Sequence, residues 1–224
     1  MAERWDVSPD GLVYTFHLRS SARWSNGDPV TAADFAFAFQ RILNPKFGAP
    51  YAYMLHPIKN AEAFNTGKIR DFSAVGVAAV DAHTLRLTLE RPTPHLPALA
   101  AHMTWLPLPR PTLEKHRAVD SRTAPWARPG TFVGNGPFTL AEWRADVQVV
   151  VQKNPRYWDA PRTRLERIVF LPTETSVEEL NFRAGQTHVT AGLPTAKIGA
   201  SSFSSRPKHS CWRRPPSRQS ISMP

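Results

Sequence analysis

Three features of the sequence predict a mixed α/β fold of the α+β kind, with pronounced hairpins. Leu12, Tyr14, Phe16 and Leu18 alternate with Val13, Thr15, His17 and Arg19, the two-residue period of a half-buried strand. After Thr31 the period changes, and Phe35, Phe39, Ile42 and Leu43 recur at helical spacing. Further along, VGVAAVDAHTLRLTLERP (75–92) and GPFTLAEW with VQVVVQKNP (147–155) each read as strand, turn, strand. Strands and helices interspersed in this way place the chain among the mixed folds.

Taken in order, the first strand runs into SNGDP (25–29), a turn in which Asn-Gly tolerates positive φ. Thr31 and Asp34 then form a T-x-x-D cap for the first helix, and Asn44-Pro45 stops it. In the next hairpin Leu85, Leu87 and Leu89 are predicted to point inward, with Arg86, Thr88 and Glu90 outward. Thr93-Pro94 opens a short helix through Leu96 and Leu99. The proline-rich passage TWLPLPRPTLEKH marks a domain boundary. Beyond the second hairpin, RIVFLPT (167–173) supplies another strand, and Ser176 and Glu179 are expected to cap a helix that ends at Gly185.

The chain has 224 residues and a formal net charge of +10. That charge invites a nucleic-acid partner, but its distribution argues against one. Residues 197–224 hold six of the basic residues and no acid, leaving 22 basic against 18 acidic residues elsewhere. Interspersed charge of this kind is a solvated surface rather than a stripe that tracks phosphates. No apolar run reaches the ~18 residues that a membrane helix needs. The opening MAERWDVSPDG has no apolar signal region, so the chain as given is expected to stay in the cytoplasm. Cys211 is the single cysteine, which excludes an internal disulfide framework and a cysteine metal cluster.

No catalytic chemistry stands out. The eight histidines, from His17 to His209, lack H-x-H or H-E-x-x-H spacing, so neither a metal nor another cofactor is expected. No G-x-S-x-G is present, and Cys211 has no evident partner base. VGNGPFTLAEW (133–143) has the glycines of a phosphate loop. However, Pro137 removes an N–H donor, no Lys follows, and FTLAEW reads as a strand rather than a helix. The notable residues are aromatics near loops and element ends: Trp24, Tyr51, Tyr53, Trp105, Trp126, Trp143, Tyr157 and Trp158. Such residues either fill the core or line a ligand cleft, and periodicity does not separate the two.

Several of these stretches together resemble the family-5 solute-binding proteins of ABC importers, oligopeptide branch. They are YTFHLRSSARWSNGDPVTAADFAFAFQRILNP (14–45), APYAYML (49–55), VGVAAVDAHTLRLTLERPTPHL (75–96), VGNGPFTLAEW (133–143), VVVQKNPRYWDA (150–160) and RIVFLPTETSVEELNFRAGQTHVT (167–190). They follow the family's order and spacing over nearly all of residues 3–196. The resemblance implies a periplasmic-binding-protein-like fold with an extra domain. Residues 1–109 would be that extra domain, truncated at its start, and residues 110–196 part of the first lobe. The second lobe would be missing, and with it the charged partners of peptide termini. In this frame Val133–Trp143 opens a hairpin with a shaped turn.

The resemblance further implies a non-enzymatic, monomeric protein that captures oligopeptides in the periplasm and delivers them to an ABC permease complex in the membrane. No nucleic acid would take part. Within the family, a carrier of dipeptides, nickel, haem or sugars is the alternative; outside it, a basic nucleic-acid-binding protein. Tyr51 matches the tyrosine that lines the family's peptide cleft. Thr190 and Gly192 lie on the strand along which the family runs peptide backbone, although Ala191-Gly192 departs from the family's tyrosine and asparagine. Residues 197–224, rich in serine and without acids, read as a disordered basic tail in a non-native reading frame. A chain with one lobe is expected not to bind peptides in the family manner.

Overall fold

The computed structural model describes residues 1–121 and 125–190. They fall into two compact units, Met1–Leu171 and one that begins at Pro172. The first unit contains two antiparallel sheets. In the four-stranded sheet, β1 (Ala2–Val7), β2 (Val13–Leu18), β3 (Val77–Asp81) and β4 (Thr84–Thr88) are ordered β1-β2-β4-β3. Along β2 the predicted alternation holds, with Tyr14, Phe16 and Leu18 buried. Leu85 and Leu87 of β4 face the same way, opposite Phe16 and Tyr14 in register, and Leu89 just beyond is also buried.

Helix α1 (Ala32–Leu43) covers that face through Phe35, Phe39 and Leu43. Asp34 accepts the Thr31 N–H at 2.8 Å, the predicted cap, and Asn44 follows the last helical residue. Removal of side chains such as Phe39 and Leu43 from water contributes about 1.5–3 kcal/mol each. The opposite side of α1 is also used. Phe37 packs with Leu113 and Ala118 in a smaller cluster beside α4 (Arg110–Lys115), which lies within the proline-rich passage. Between these elements lie two short helices, α2 (Ala61–Asn65) and α3 (Leu96–Leu99).

The second sheet has the order β5-β6-β7, from β5 (Phe138–Arg144), β6 (Gln148–Lys153) and β7 (Arg167–Phe170). Its register aligns two apolar rows across all three strands. One is Trp143, Val149 and Phe170; the other is Leu140, Val151 and Ile168. A bulge between Leu140 and Glu142 keeps both rows on one face despite their odd spacing on β5.

The second unit carries α5 (Thr175–Arg183). Here the expected cap is corrected. The helix begins after Glu174, whose carbonyl accepts the N–H groups of Val177 and Glu178, so Ser176 is already helical. Glu179 is buried and holds Arg183 one turn on, at 2.7 Å, rather than reaching back to Ser176. At the other end, Gly185 terminates the helix as expected. Its φ is +72°, and its N–H returns to the Phe182 carbonyl.

Candidate functional site

Tyr51 sits at the start of a single 3-10 turn, Ala52–Leu55. Ala52 and Leu55 are buried on one side of that turn, which turns the rings of Tyr51 and Tyr53 towards solvent. Tyr51 is 49% exposed and Tyr53 55%. Their ring centroids lie 6.1 Å apart at a tilted angle. His102 closes the group from a distant part of the sequence, meeting Tyr51 edge-on at 5.4 Å.

His102 is itself positioned by the 3-10 turn that it caps, Met103–Trp105. Its Nδ1 accepts the Thr104 N–H at 3.3 Å and lies 3.1 Å from the Thr104 hydroxyl. With Nδ1 committed as acceptor, the neutral ring carries its proton on Nε2. Met103 beside it is 70% exposed. The result is a half-exposed aromatic platform, a surface that suits apolar or flat side chains of varied shape. Nothing in it resembles a nucleophile with its base. Among the described residues, no group of three or more His, Cys, Asp or Glu is gathered that could hold a metal ion.

The other sequence candidates are distributed differently. Trp24 and Trp105, named among the loop aromatics, are core residues at 3% and 4% exposure. Trp126 stacks on Phe132 at 6.1 Å, Tyr157 packs beside Trp158, and Trp143 lies on the open face of the second sheet beneath the Arg128 guanidinium. Thr190 is half-buried outside any helix or strand, in the second unit. Gly192, Cys211 and the basic tail lie outside the described residues. His102 carried no signal in the sequence, because only the fold brings it to Tyr51.

VGNGPF also has a clear local role. Gly136 and Pro137 lead into β5, and their carbonyls accept from Asn154, through its side chain at 2.9 Å and its backbone N–H at 2.9 Å. Gly134 exchanges two hydrogen bonds with Ser25, N–H to carbonyl at 2.8 Å and N–H to hydroxyl at 3.2 Å. A Cβ at Gly134 would lie 2.8 Å from the Phe132 ring. The glycines permit close backbone packing, and no helix N-terminus follows to receive a phosphate.

Comparison with known proteins agrees with this architecture. Residues 1–215 match the family "Bacterial extracellular solute-binding proteins, family 5 Middle", a match that runs beyond Ala196. The probable deoxycholate-binding periplasmic protein YgiS of Escherichia coli is 40% identical over 202 residues, 89% of this chain and 36% of that protein. The periplasmic oligopeptide-binding protein OppA of the same organism is 36% identical, over 85% of this chain and 34% of its own length. Among solved structures, the Escherichia coli murein tripeptide binding protein MppA superposes with a TM-score of 0.81 at 35% identity, covering 89% of this chain and 38% of that one. Haemophilus influenzae OppA, in complex with RPPGFSPFR, gives the same TM-score, identity and coverage. The fold is therefore part of a periplasmic-binding-protein fold, and the chain spans about a third of the length of these relatives. On this evidence the chain belongs to the family-5 bacterial extracellular solute-binding proteins, a family of binding proteins rather than enzymes.

Proposed function

We propose that the whole protein captures oligopeptides outside the cytoplasmic membrane and passes them to an ABC permease, with Tyr51 on the wall of the peptide cleft. The observation that carries this reading is the platform at Tyr51, solvent-facing yet fixed by His102 at 5.4 Å. A ring held in place but left open loses little further freedom when a ligand side chain stacks on it. Two of the relatives are named for oligopeptides and dipeptides, which supports a peptide ligand. In this reading residues 1–109 form the extra domain and 110–196 part of the first lobe. Thr190 and Gly192 would offer backbone groups to the peptide by strand addition.

YgiS, the 40% identical relative, is named for deoxycholate, and a flat apolar steroid would also suit an aromatic platform. Calorimetry on the full-length protein distinguishes the two. Mixed tri- to pentapeptides are expected to bind and deoxycholate is not, and Tyr51→Ala should weaken the peptides about tenfold. A ligand present at a hundred times its Kd stabilises the fold by about 2.7 kcal/mol, so thermal unfolding gives a second readout. Binding of deoxycholate without peptides would overturn the peptide reading. Unchanged peptide affinity in Tyr51→Ala would remove Tyr51 from the cleft.

A further inference from the structure

The sequence holds two Asn-Gly pairs, Asn26-Gly27 and Asn135-Gly136, and the fold treats them differently. In such a pair the glycine has no β-carbon to shield its backbone nitrogen from the preceding asparagine side chain. Asn26 is exposed in the SNGDP turn. Its Oδ1 accepts the Asp28 N–H at 3.1 Å, and its Nδ2 donates to the Asp28 carboxylate at 2.6 Å. These bonds fold the side chain towards the residues that follow, the direction in which a ring onto the Gly27 nitrogen closes, and the first polarises its carbonyl. The Arg156 guanidinium carbon lies 3.8 Å from where a Gly27 Cβ would stand, so a positive charge sits beside the same residue. One bond opposes ring closure, from the Gly27 N–H to the Trp24 carbonyl at 2.9 Å. In an exposed turn a bond of this kind opens at low cost.

Asn135 is held more firmly. Its Nδ2 is buried, and the carbonyls of Gly136 and Pro137 just beyond it are both tied to Asn154.

We propose that Asn26 is a site of spontaneous deamidation, and that its products loosen the contact between the SNGDP turn and the VGNG stretch. The Gly27 nitrogen attacks Asn26 Cγ, the Cγ–Nδ2 bond breaks, and the Gly27 amide proton departs with Nδ2 as ammonia. Water then opens the five-membered imide at either carbonyl and returns a proton to the Gly27 nitrogen. Addition at Cγ gives aspartate. Addition at the main-chain carbonyl gives isoaspartate, whose main chain runs through Cβ and is longer by that carbon. In both products a carboxylate replaces the amide donor and meets Asp28 with like charge. The longer chain also displaces Ser25, which accepts from Arg156 and exchanges two hydrogen bonds with Gly134. The site is independent of peptide capture and of the role of Tyr51.

The test incubates the full 224-residue chain in oxygen-18 water at mildly alkaline pH and maps its peptides by mass spectrometry. The peptide holding Asn26 should convert to two acidic isomers, each with one oxygen-18 atom, about tenfold or more faster than the peptide holding Asn135. In urea, where the fold no longer separates them, the two rates should converge. The deamidated fraction, separated by ion exchange, should unfold at lower urea concentration than the unmodified chain, and Asn26→Asp by a smaller margin. Equal rates at the two asparagines in the folded chain would overturn the assignment of the site. So would an Asn26 that survives there while both react in urea. Unchanged stability of the deamidated fraction would overturn the loosening.

Discussion

The guanidinium of Arg156 donates to the Ser25 carbonyl at 2.6 Å, across 131 positions of sequence. This bond joins the SNGDP turn to the loop after β6. Ser25 and Gly134 add a reciprocal pair beside it, and the Arg19 guanidinium lies 3.9 Å over the Trp158 ring. Gly27, at a φ of +102°, lets the turn pass close to Arg156. The Ser-Asn-Gly turn and the Gly-Asn-Gly stretch therefore serve one purpose, a clasp between the two sheets of the first unit.

Within the clasp the buried group should matter most. Asn154 is 1% exposed, its amide serves Gly136, and its Oδ1 accepts the Arg156 N–H at 3.0 Å. Asn154→Ala leaves those backbone groups unpaired and is expected to lower the unfolding free energy by about 2–3 kcal/mol. Arg156 is exposed, so Arg156→Ala should cost only about 1 kcal/mol. Equilibrium urea unfolding of both variants ranks them, and a larger loss for Arg156→Ala would refute the clasp as described.

Asp34 supplies a pH dependence. Burial pushes its carboxyl above the ordinary carboxylate value, and hydrogen bonds from Thr31 and from Trp24 Nε1 at 3.3 Å only partly offset this. The folded state therefore holds the proton more tightly than the unfolded chain does. The stabilisation is complete below the unfolded value of about 3.9 and is lost as pH rises through the raised folded value. Measured against Asp34→Asn, so that other carboxylates cancel, wild-type stability should fall as pH is raised through that window. A difference that is flat, or that grows with pH, would contradict it.

Gly76 is required for space. A Cβ there would stand 2.3 Å from the Thr88 carbonyl oxygen and 3.0 Å from the Lys59 side chain. Both neighbours are tied to Gly76 by backbone hydrogen bonds and cannot easily retreat. Gly76→Ala should cost about 3 kcal/mol. Gly67 is the control, because it has φ +78° but nothing within 4 Å. Gly67→Ala should cost about 1 kcal/mol from backbone strain alone. Thermal unfolding of the pair checks the order.

Local patterns made much of this fold legible. Alternation in β2, the Thr31–Asp34 cap of α1 and the inward leucines of β4 all depend on near neighbours in sequence. Strand β1 left no such mark, since AERWDV is an edge strand with most of its side chains exposed. The role of Phe37 was hidden because a helix that packs on two sides blurs its own period. Burial of Trp24 and Trp105, like the approach of His102 to Tyr51, depends on segments far apart in the chain. The resemblance singled out Tyr51, but periodicity did not.

The strand order β1-β2-β4-β3 divides folding of the first sheet into two quick steps and a slow one. β1 with β2 and β3 with β4 are hairpins between sequence neighbours, and hairpins of this kind close in roughly 1–10 μs. Pairing β2 with β4 must instead close the chain from Leu18 to Thr84 around α1, and that distant contact limits the rate. Damage to the Phe16–Leu85 and Tyr14–Leu87 pairs should thus slow folding. Damage on the β1 edge strand itself, as at Trp5, should mainly hasten unfolding.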